Sequence, residues 1–441
     1  MQSWNRLDQT RRIDICAYDS PAGIGGPYVW MQRMPLELRQ RGFDVRVRLF
    51  HWGPKEGGLL FRTLQKQGFE VTSLPFGNSE SNVRWLMEGM VADPPAVLIA
   101  DNVIPGLLAG RYLRQWGIPT VGILRSDDSF YHGIIERFVA GDQRDQLSAV
   151  VSVSQFLTDT VRKNRIGTLI TETIPSGTPI PAETATAPKD VLRLVYVGRL
   201  VQEQKRIIET VKALIRVVTE IENVHVTIFG DGPERGRIEE MILPYASTIA
   251  LAGNVPSEDL LKRLLESHAI VLLSDYEGTP TAIMEAMACG VVPVCLRIRS
   301  GIPELVLDGK TGFLVDDRGS SFLEAIRKLK GDTALWKTLS ASARRHVEEK
   351  FSIDSCADRW SDLLRRVSRN NRQRTPIVVA RSLKLAPRHV GYAHQDFREP
   401  GLLARTAKRI TERGRRIRKI LGRIRRDVFA GRSRNSQSES K

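Results

Sequence analysis

Two glutamates, Glu277 and Glu285, lie eight positions apart around the predicted start of a helix. Thr279 has the side chain of a good N-cap, and Pro280 suits the first helical position because its missing N–H would be unpaired there. Residues 282–288 are good helix formers. The free N–H groups of such a first turn, together with the positive end of the helix dipole, suit a phosphate or a cluster of sugar hydroxyls.

An apolar run at 269–274 precedes this helix start, so the sequence predicts a parallel strand, a short functional loop and then the helix. In open α/β sheets ligands bind at the carboxyl ends of the strands. Arg199 and Lys205 follow another predicted strand, at 192–197. Two cations there could grip a diphosphate, although they could equally be solvated surface charges.

Glycines follow the first predicted strand, at 13–18. Gly25 and Gly26 would let the backbone approach a ligand closely, or they form a plain tight turn. A dinucleotide-binding fingerprint is disfavoured, because Tyr28 stands where its third glycine would fall and no acidic residue ends the next strand.

Short apolar runs alternate with amphipathic helical patterns, which is the βαβ signature of a doubly wound parallel sheet. The pattern stops near residue 180, in a stretch rich in Pro, Thr and Ala, and then restarts. We therefore expect an α/β protein with two Rossmann-like domains, 1–180 and 181–369, facing a central cleft, and a basic tail at 370–441. The predicted strands are 13–18, 44–50, 69–74, 96–100, 118–124, 148–153, 169–174, 192–197, 224–229, 249–252, 269–273, 291–295 and 313–315.

Composition is ordinary for a soluble α/β protein, but the net charge of +16 is not. Residues 365–441 carry 23 Lys or Arg against 5 Asp or Glu, so the basic excess belongs to the tail. Four scattered cysteines without metal-ligand spacing indicate buried structural thiols in a reduced compartment. The polar start has no apolar signal core, and no apolar run approaches the length of a membrane span, so we expect a cytoplasmic protein.

Taken together and in order, these motifs resemble those of the family-4 group of retaining glycosyltransferases, which have the GT-B fold. The second domain carries the resemblance at Gly198-Arg-Leu with Lys205, the glycine turn 230–233, Glu277-Gly-Thr-Pro through Glu285, and the stretch 300–315. The first domain matches less sharply, at Gly25-Gly26, 152–154 and 174–177. The resemblance covers about residues 10–369 and leaves the tail outside it.

The resemblance implies an enzyme that moves a sugar from a nucleoside diphosphate sugar with retention at the anomeric carbon. Arg199 and Lys205 would stabilise the charge that builds on the β-phosphate. Glu285 would hold the ribose hydroxyls, and Glu277 would bond the donor sugar. The implied synthesis is of cell-surface polysaccharide or glycolipid.

The remaining donor contacts that the resemblance implies come from backbone groups. Gly278, Thr279, Pro280 and Thr281 form the segment that would offer N–H groups, and Gly26, after Gly25, would let the first domain close onto the phosphates. The resemblance implies no metal and no cofactor. It leaves open a UDP-, GDP- or ADP-sugar as donor, and it does not identify the acceptor.

One departure from the family concerns the first domain. Many relatives carry a histidine after the strand that corresponds to 118–124. Ungapped counting places Arg125 there, with Ser126 and Asp127 as neighbours, and whichever of them faces the cleft is expected to orient the donor or the acceptor. Two alternatives stay open: a GT-B-fold sugar-nucleotide epimerase or phosphorylase, and a non-catalytic sugar-nucleotide-binding protein.

The tail has the pattern of a basic amphipathic helix at about 402–429. It could lie on an anionic membrane, which suits a lipid-linked or surface-polysaccharide acceptor and an enzyme held at the inner membrane face. It could instead dock against the core or another subunit. Nucleic-acid binding is disfavoured, because no aromatic interleaving or known module accompanies the charge.

Overall fold

The computed structural model describes residues 11–20, 25–53, 58–369 and 378–398 of the 441-residue chain. Within these residues the backbone forms two parallel sheets, each flanked by helices. Two apolar cores cover the two faces of the first sheet. A third core fills the second domain. Strands buried on both faces explain why the sequence shows apolar runs and not a two-residue alternation.

The first sheet has seven strands: β1 Arg12–Asp19, β2 Asp44–His51, β3 Glu70–Pro75, β4 Val97–Ala100, β5 Thr120–Leu124, β6 Ala149–Ser152 and β7 Ile170–Thr173. They pair in parallel in the order β3-β2-β1-β4-β5-β6-β7. The helices between them are α1 Gly26–Gln40, α2 Leu59–Lys66, α3 Ser79–Glu88, α4 Ile104–Gln115, α5 Ser129–Phe138 and α6 Gln155–Asn164.

The second sheet has six strands: β8 Leu192–Val197, β9 Val224–Phe229, β10 Ile249–Gly253, β11 Ala269–Leu272, β12 Val292–Leu296 and β13 Phe313–Val315. Their order is β10-β9-β8-β11-β12-β13. The helices are α7 Ile207–Glu220, α8 Arg235–Ile242, α9 Ser257–Leu265, α10 Thr281–Ala288, α11 Ile302–Leu305, α12 Ser320–Gly331, α13 Thr333–Lys350 and α14 Ile353–Arg369.

In both sheets the strand order reverses direction beside the first strand, between β1 and β4 and between β8 and β11. A crevice opens at the carboxyl ends of the strands at such a switch point, and ligands bind there in open α/β sheets. The predicted α/β fold with two Rossmann-like domains is confirmed, and each predicted strand lies within two residues of an observed one.

The last helix of the segment 181–369 packs against the other domain. Trp360, Leu363 and Leu364 of α14 are buried in the core formed by α1 and the first sheet, and the rings of Trp30 and Trp360 lie 5.5 Å apart. The chain thus returns to the first domain after completing the second. The domain limits at 180 and 369 remain predictions, and this return contact adds a structural tie between the two segments.

Part of the predicted tail also packs on the first domain. Residues 378–396 are irregular except for a short 3₁₀ helix, Val390–Gln395. Tyr392 is buried and its ring stacks on Phe138 of α5, with centroids 6.0 Å apart. The Ser79 hydroxyl donates a hydrogen bond to the buried Asp396 carboxylate at 2.8 Å. These contacts fix the segment across the outer side of α3 and α5.

The predicted basic helix at 402–429 lies outside the described residues. Among the residues that the structure does describe, no helix has the length and apolar character needed to cross a membrane. All four cysteines are buried and unpaired, as predicted for structural thiols.

Candidate functional site

Loops that follow the carboxyl ends of strands in the two sheets meet at the interface between the domains. The Thr279 hydroxyl, from the second domain, donates a hydrogen bond to the carbonyl of Val153 at 2.7 Å. The Glu304 carboxylate accepts hydrogen bonds from the backbone N–H groups of Gln155 and Phe156, at 2.7 and 2.8 Å. This carboxylate sits at the N-terminus of α6, where the helix dipole favours a negative charge.

Gly278 forms the closest approach between the domains. Its backbone lies so near Arg125 that a Cβ would overlap the Arg125 carbonyl oxygen and come within 2.7 Å of the carbonyl carbon. Only a residue without a side chain fits there. The same loop is held from its own domain by a hydrogen bond from the Gly301 N–H to the Gly278 carbonyl at 2.8 Å.

Helix α10 begins later than its sequence predicts. Its N-cap is Pro280, and its first residue is Thr281, so Thr279 does not cap the helix. The reason is that the Thr279 hydroxyl has a partner in the other domain, the Val153 carbonyl. The N–H groups of the first turn of α10 therefore have no side-chain cap within the helix, which suits an anion in front of them.

A cation and a carboxylate form an ion pair beside this loop. The Lys205 ammonium lies 2.5 Å from the Glu277 carboxylate, and the side chains are 12% and 7% exposed. The exposed Arg199 donates a hydrogen bond to Gln204, which in turn donates to the Tyr276 carbonyl. Arg199 and Lys205 thus lie near Glu277, which is more than seventy residues further along the chain, and their roles in donor binding stay predictions.

Glu285 lies one turn into α10 and is buried. Its carboxylate pairs across the domain interface with Arg33 of α1 at 2.7 Å. Burial raises the pKa of Glu285, and the Arg33 cation opposes that shift. Glu285 was predicted from the sequence and Arg33 was not, since no local pattern marks an arginine in the third turn of an amphipathic helix.

The glycines of the first domain face the start of α10. Gly25 has φ +116°, which side-chain-bearing residues rarely adopt, and it is the N-cap of α1. A Cβ at Gly26 would lie 3.1 Å from the Thr281 hydroxyl. The N-termini of α1 and α10 therefore face each other, and their like dipole ends favour a negative group between them.

Arg125 is buried and points into the first domain. Its Nε donates to Asp101 at 2.8 Å, its Nη1 donates to Ser176 at 3.2 Å, and its guanidinium lies 4.9 Å from the centre of the Trp30 ring. Burial raises the pKa of Asp101, while the Arg125 cation opposes the shift. The side chain thus ties the ends of three strands to α1, and the Arg125 backbone is the part that contacts the second domain.

The two neighbours of Arg125 have different surroundings. The Ser126 hydroxyl is buried and has no hydrogen-bond partner among the described residues. Asp127 pairs with His132 at 2.9 Å. Glu304, which joins the domains, was not predicted as a site residue. It lies in the stretch 300–315 that carries the family resemblance, but no individual contact was predicted within that stretch.

These two doubly wound domains, with their strand ends facing across a cleft, define the GT-B class. Residues 182–346 match the family model described as Glycosyl transferases group 1. The predicted resemblance to glycosyltransferases is therefore confirmed over most of the second domain, while the family-4 subgroup and the retaining reaction stay predictions.

Curated relatives match over similar lengths. The chain is 30% identical over 183 residues to N-acetyl-alpha-D-glucosaminyl L-malate synthase of Bacillus anthracis, covering 41% of this chain and 46% of that protein. It is also 30% identical over 194 residues to the putative colanic acid biosynthesis glycosyltransferase WcaL of Salmonella typhimurium, covering 41% and 47%. The matched stretch spans about half the length of these relatives.

Solved structures match over both domains. HepE of Anabaena, in complex with UDP and glucose, has a TM-score of 0.64 at 19% identity, covering 79% of this chain and 98% of that one. The pneumococcal O-GlcNAc transferase GtfA, in complex with UDP and GlcNAc, has a TM-score of 0.65 at 12% identity, covering 80% and 99%. At these identities the likeness establishes the fold.

Proposed function

We propose that the protein is a retaining glycosyltransferase that moves a sugar from a nucleoside diphosphate sugar to an acceptor hydroxyl. The observation that carries this proposal is the cluster at the cleft, where Lys205 and Glu277 pair beside Arg199 and the start of α10. Cations and free N–H groups bind phosphate, and carboxylates bind sugar hydroxyls. These groups meet at the switch point where ligands of such sheets bind.

Each group has a role in the proposed reaction. Breaking the bond between the sugar and the β-phosphate builds negative charge on the leaving phosphate. Arg199, Lys205 and the N-terminus of α10 stabilise that charge. Glu277 bonds the hydroxyls of the donor sugar, Glu285 bonds the ribose, and the backbone from Gly278 to Thr281 lines the phosphates with Gly25 and Gly26 opposite.

The proposed reaction needs no metal, because Arg199, Lys205 and the start of α10 carry the charge compensation. The leaving phosphate takes the acceptor's proton on the same face of the sugar, which keeps the anomeric configuration. Ser126 and Asp127 remain proposed orienting groups. Arg125 orients through its backbone contact with the donor loop, since its guanidinium bonds Asp101 and Ser176.

A donor screen tests this function. UDP-, GDP- and ADP-sugars are added to the full-length protein, with UDP-sugars first because HepE and GtfA were solved with UDP. A donor at about 100 times its Kd is expected to stabilise the fold by about 2.7 kcal/mol, which raises the melting temperature. No stabilisation by any of these sugars would contradict the proposal.

The matching donor is then incubated with candidate acceptors in the presence of EDTA, and NMR identifies the anomer of the first-formed product. Transfer with retention that persists in EDTA is expected. An epimerase would convert the donor without any acceptor, a phosphorylase would require inorganic phosphate, and a binding protein would show stabilisation without turnover.

We further propose that the acceptor belongs to cell-surface polysaccharide or glycolipid synthesis and that the tail holds the enzyme on an anionic membrane. The support is the basic amphipathic pattern at 402–429, worth about 1 kcal/mol per basic residue near such a surface. Deleting residues 401–441 is expected to abolish sedimentation with phosphatidylglycerol vesicles and to spare donor hydrolysis. Persistent sedimentation of the truncated protein would contradict the role of the tail.

A further inference from the structure

Helices α1 and α10 come from different domains and meet through one buried ion pair. Arg33 lies two turns into α1, Glu285 lies one turn into α10, and they are separated by 252 residues of chain. Their side chains are only 16% and 5% exposed, with 2.7 Å between the guanidinium and the carboxylate. The pair lies directly behind the facing helix starts, where Gly26 and Thr281 approach each other.

A buried carboxylate needs a partner, because an unpaired charge away from water is strongly unfavourable. That partner for Glu285 is Arg33. Ribose hydroxyls can also satisfy a carboxylate. Two vicinal ribose hydroxyls would engage both carboxylate oxygens, and Arg33 already bonds one of them, Oε1. The nucleoside and the guanidinium therefore compete for that oxygen.

We propose that Arg33 is a donor-affinity residue: it occupies the nucleoside-binding carboxylate and must give up that contact when the donor binds. This inference rests on the proposed function, which assigns Glu285 to the ribose. Two further interdomain contacts, Thr279 with Val153 and Glu304 with α6, do not use Glu285. Arg33 therefore lowers donor affinity and favours release of the nucleoside diphosphate product.

The test measures the Kd of UDP, or of the nucleoside diphosphate that the donor screen identifies, by titration calorimetry on the full chain. Arg33→Ala is expected to tighten binding about tenfold, because the ligand no longer has to break a charge-assisted hydrogen bond. Arg39→Ala is the matched control on the same helix: Arg39 is exposed, bonds the Gln67 carbonyl and does not reach Glu285. The control Kd is expected to stay unchanged.

Further measurements distinguish a failure of this inference from a failure of the proposed function. Arg33→Lys, which keeps the charge with a single-point donor, is expected to give an intermediate Kd and covers the case in which the alanine variant fails to fold. Glu285→Gln is expected to weaken binding at least tenfold. Unchanged or weaker binding in Arg33→Ala, with Glu285→Gln still weakened, overturns this inference alone. Absence of nucleoside diphosphate binding in the unmodified protein overturns both this inference and the proposed function.

Discussion

Replacing Lys205 with alanine is expected to lower turnover by about 10²–10³-fold, the cost of removing one preorganised donor at a site where charge develops. The lysine is placed for this role by its pairing with Glu277 at 2.5 Å and by its low exposure in the cleft. The charge on a departing β-phosphate would meet this ammonium in a site that excludes most water, where the attraction is strong. Donor binding in the ground state should weaken much less than turnover.

The measurement is turnover per folded enzyme, at a temperature where circular dichroism reports a fully native protein. This condition matters because Glu277 loses its cation in the variant, and breaking such a buried pair also reduces the free energy of unfolding. Lys212→Ala is the control, since Lys212 is an exposed residue of the following helix α7. Full turnover in Lys205→Ala with a genuine acceptor would remove Lys205 from the mechanism.

Replacing Gly278 with alanine is expected to reduce turnover on the order of 100-fold or more, since misplacing reactive groups by about 1 Å has that effect. The added Cβ would overlap the backbone of Arg125, which is held in place because it directly follows β5 and its buried side chain is bonded to Asp101 and Ser176. The domains can then no longer close to their present contact. Each domain keeps its own core, so folding should be affected far less than closure.

Two measurements on Gly278→Ala separate these effects. Small-angle scattering is expected to show a larger radius of gyration than in the unmodified protein, while circular dichroism stays native. Gly236→Ala is the control, because Gly236 lies in α8, an added Cβ there would meet no atom within 4 Å, and its φ is ordinary. An alanine variant at 278 that is as compact and as active as the unmodified protein would show that this close approach is not needed for function.

The sequence was sufficient for the architecture because local signals and burial agree throughout. Apolar runs such as 97–100 and 292–296 are buried on both faces of a parallel sheet, so they appear as continuous apolar stretches between turn residues. The sequence likewise showed the glycine-bounded loops and the spacing of Arg199, Lys205, Glu277 and Glu285, because backbone constraints and residue chemistry are local properties.

Partners across the cleft were decided only by the tertiary structure. Thr279 has the side chain of an N-cap, yet its hydroxyl bonds Val153, 126 residues away, and the helix begins after Pro280 instead. Arg125 occupies a position expected to face a ligand, yet its guanidinium bonds Asp101 and Ser176 inside the first domain. For Thr279, a long-range contact with a buried carbonyl outweighs a local capping preference of about 1 kcal/mol.

The pairing of Arg33 with Glu285 shows the same limit most directly. The sequence by itself determined that a helix starts close to residue 280 and carries a carboxylate about one turn in, and that strand, loop and helix would present it at the carboxyl end of a sheet. Only the tertiary structure decided which cation faces that carboxylate, because the choice depends on how two separately folded domains meet. A buried charge takes whichever partner the closed geometry brings within hydrogen-bond distance, and no local pattern encodes that geometry.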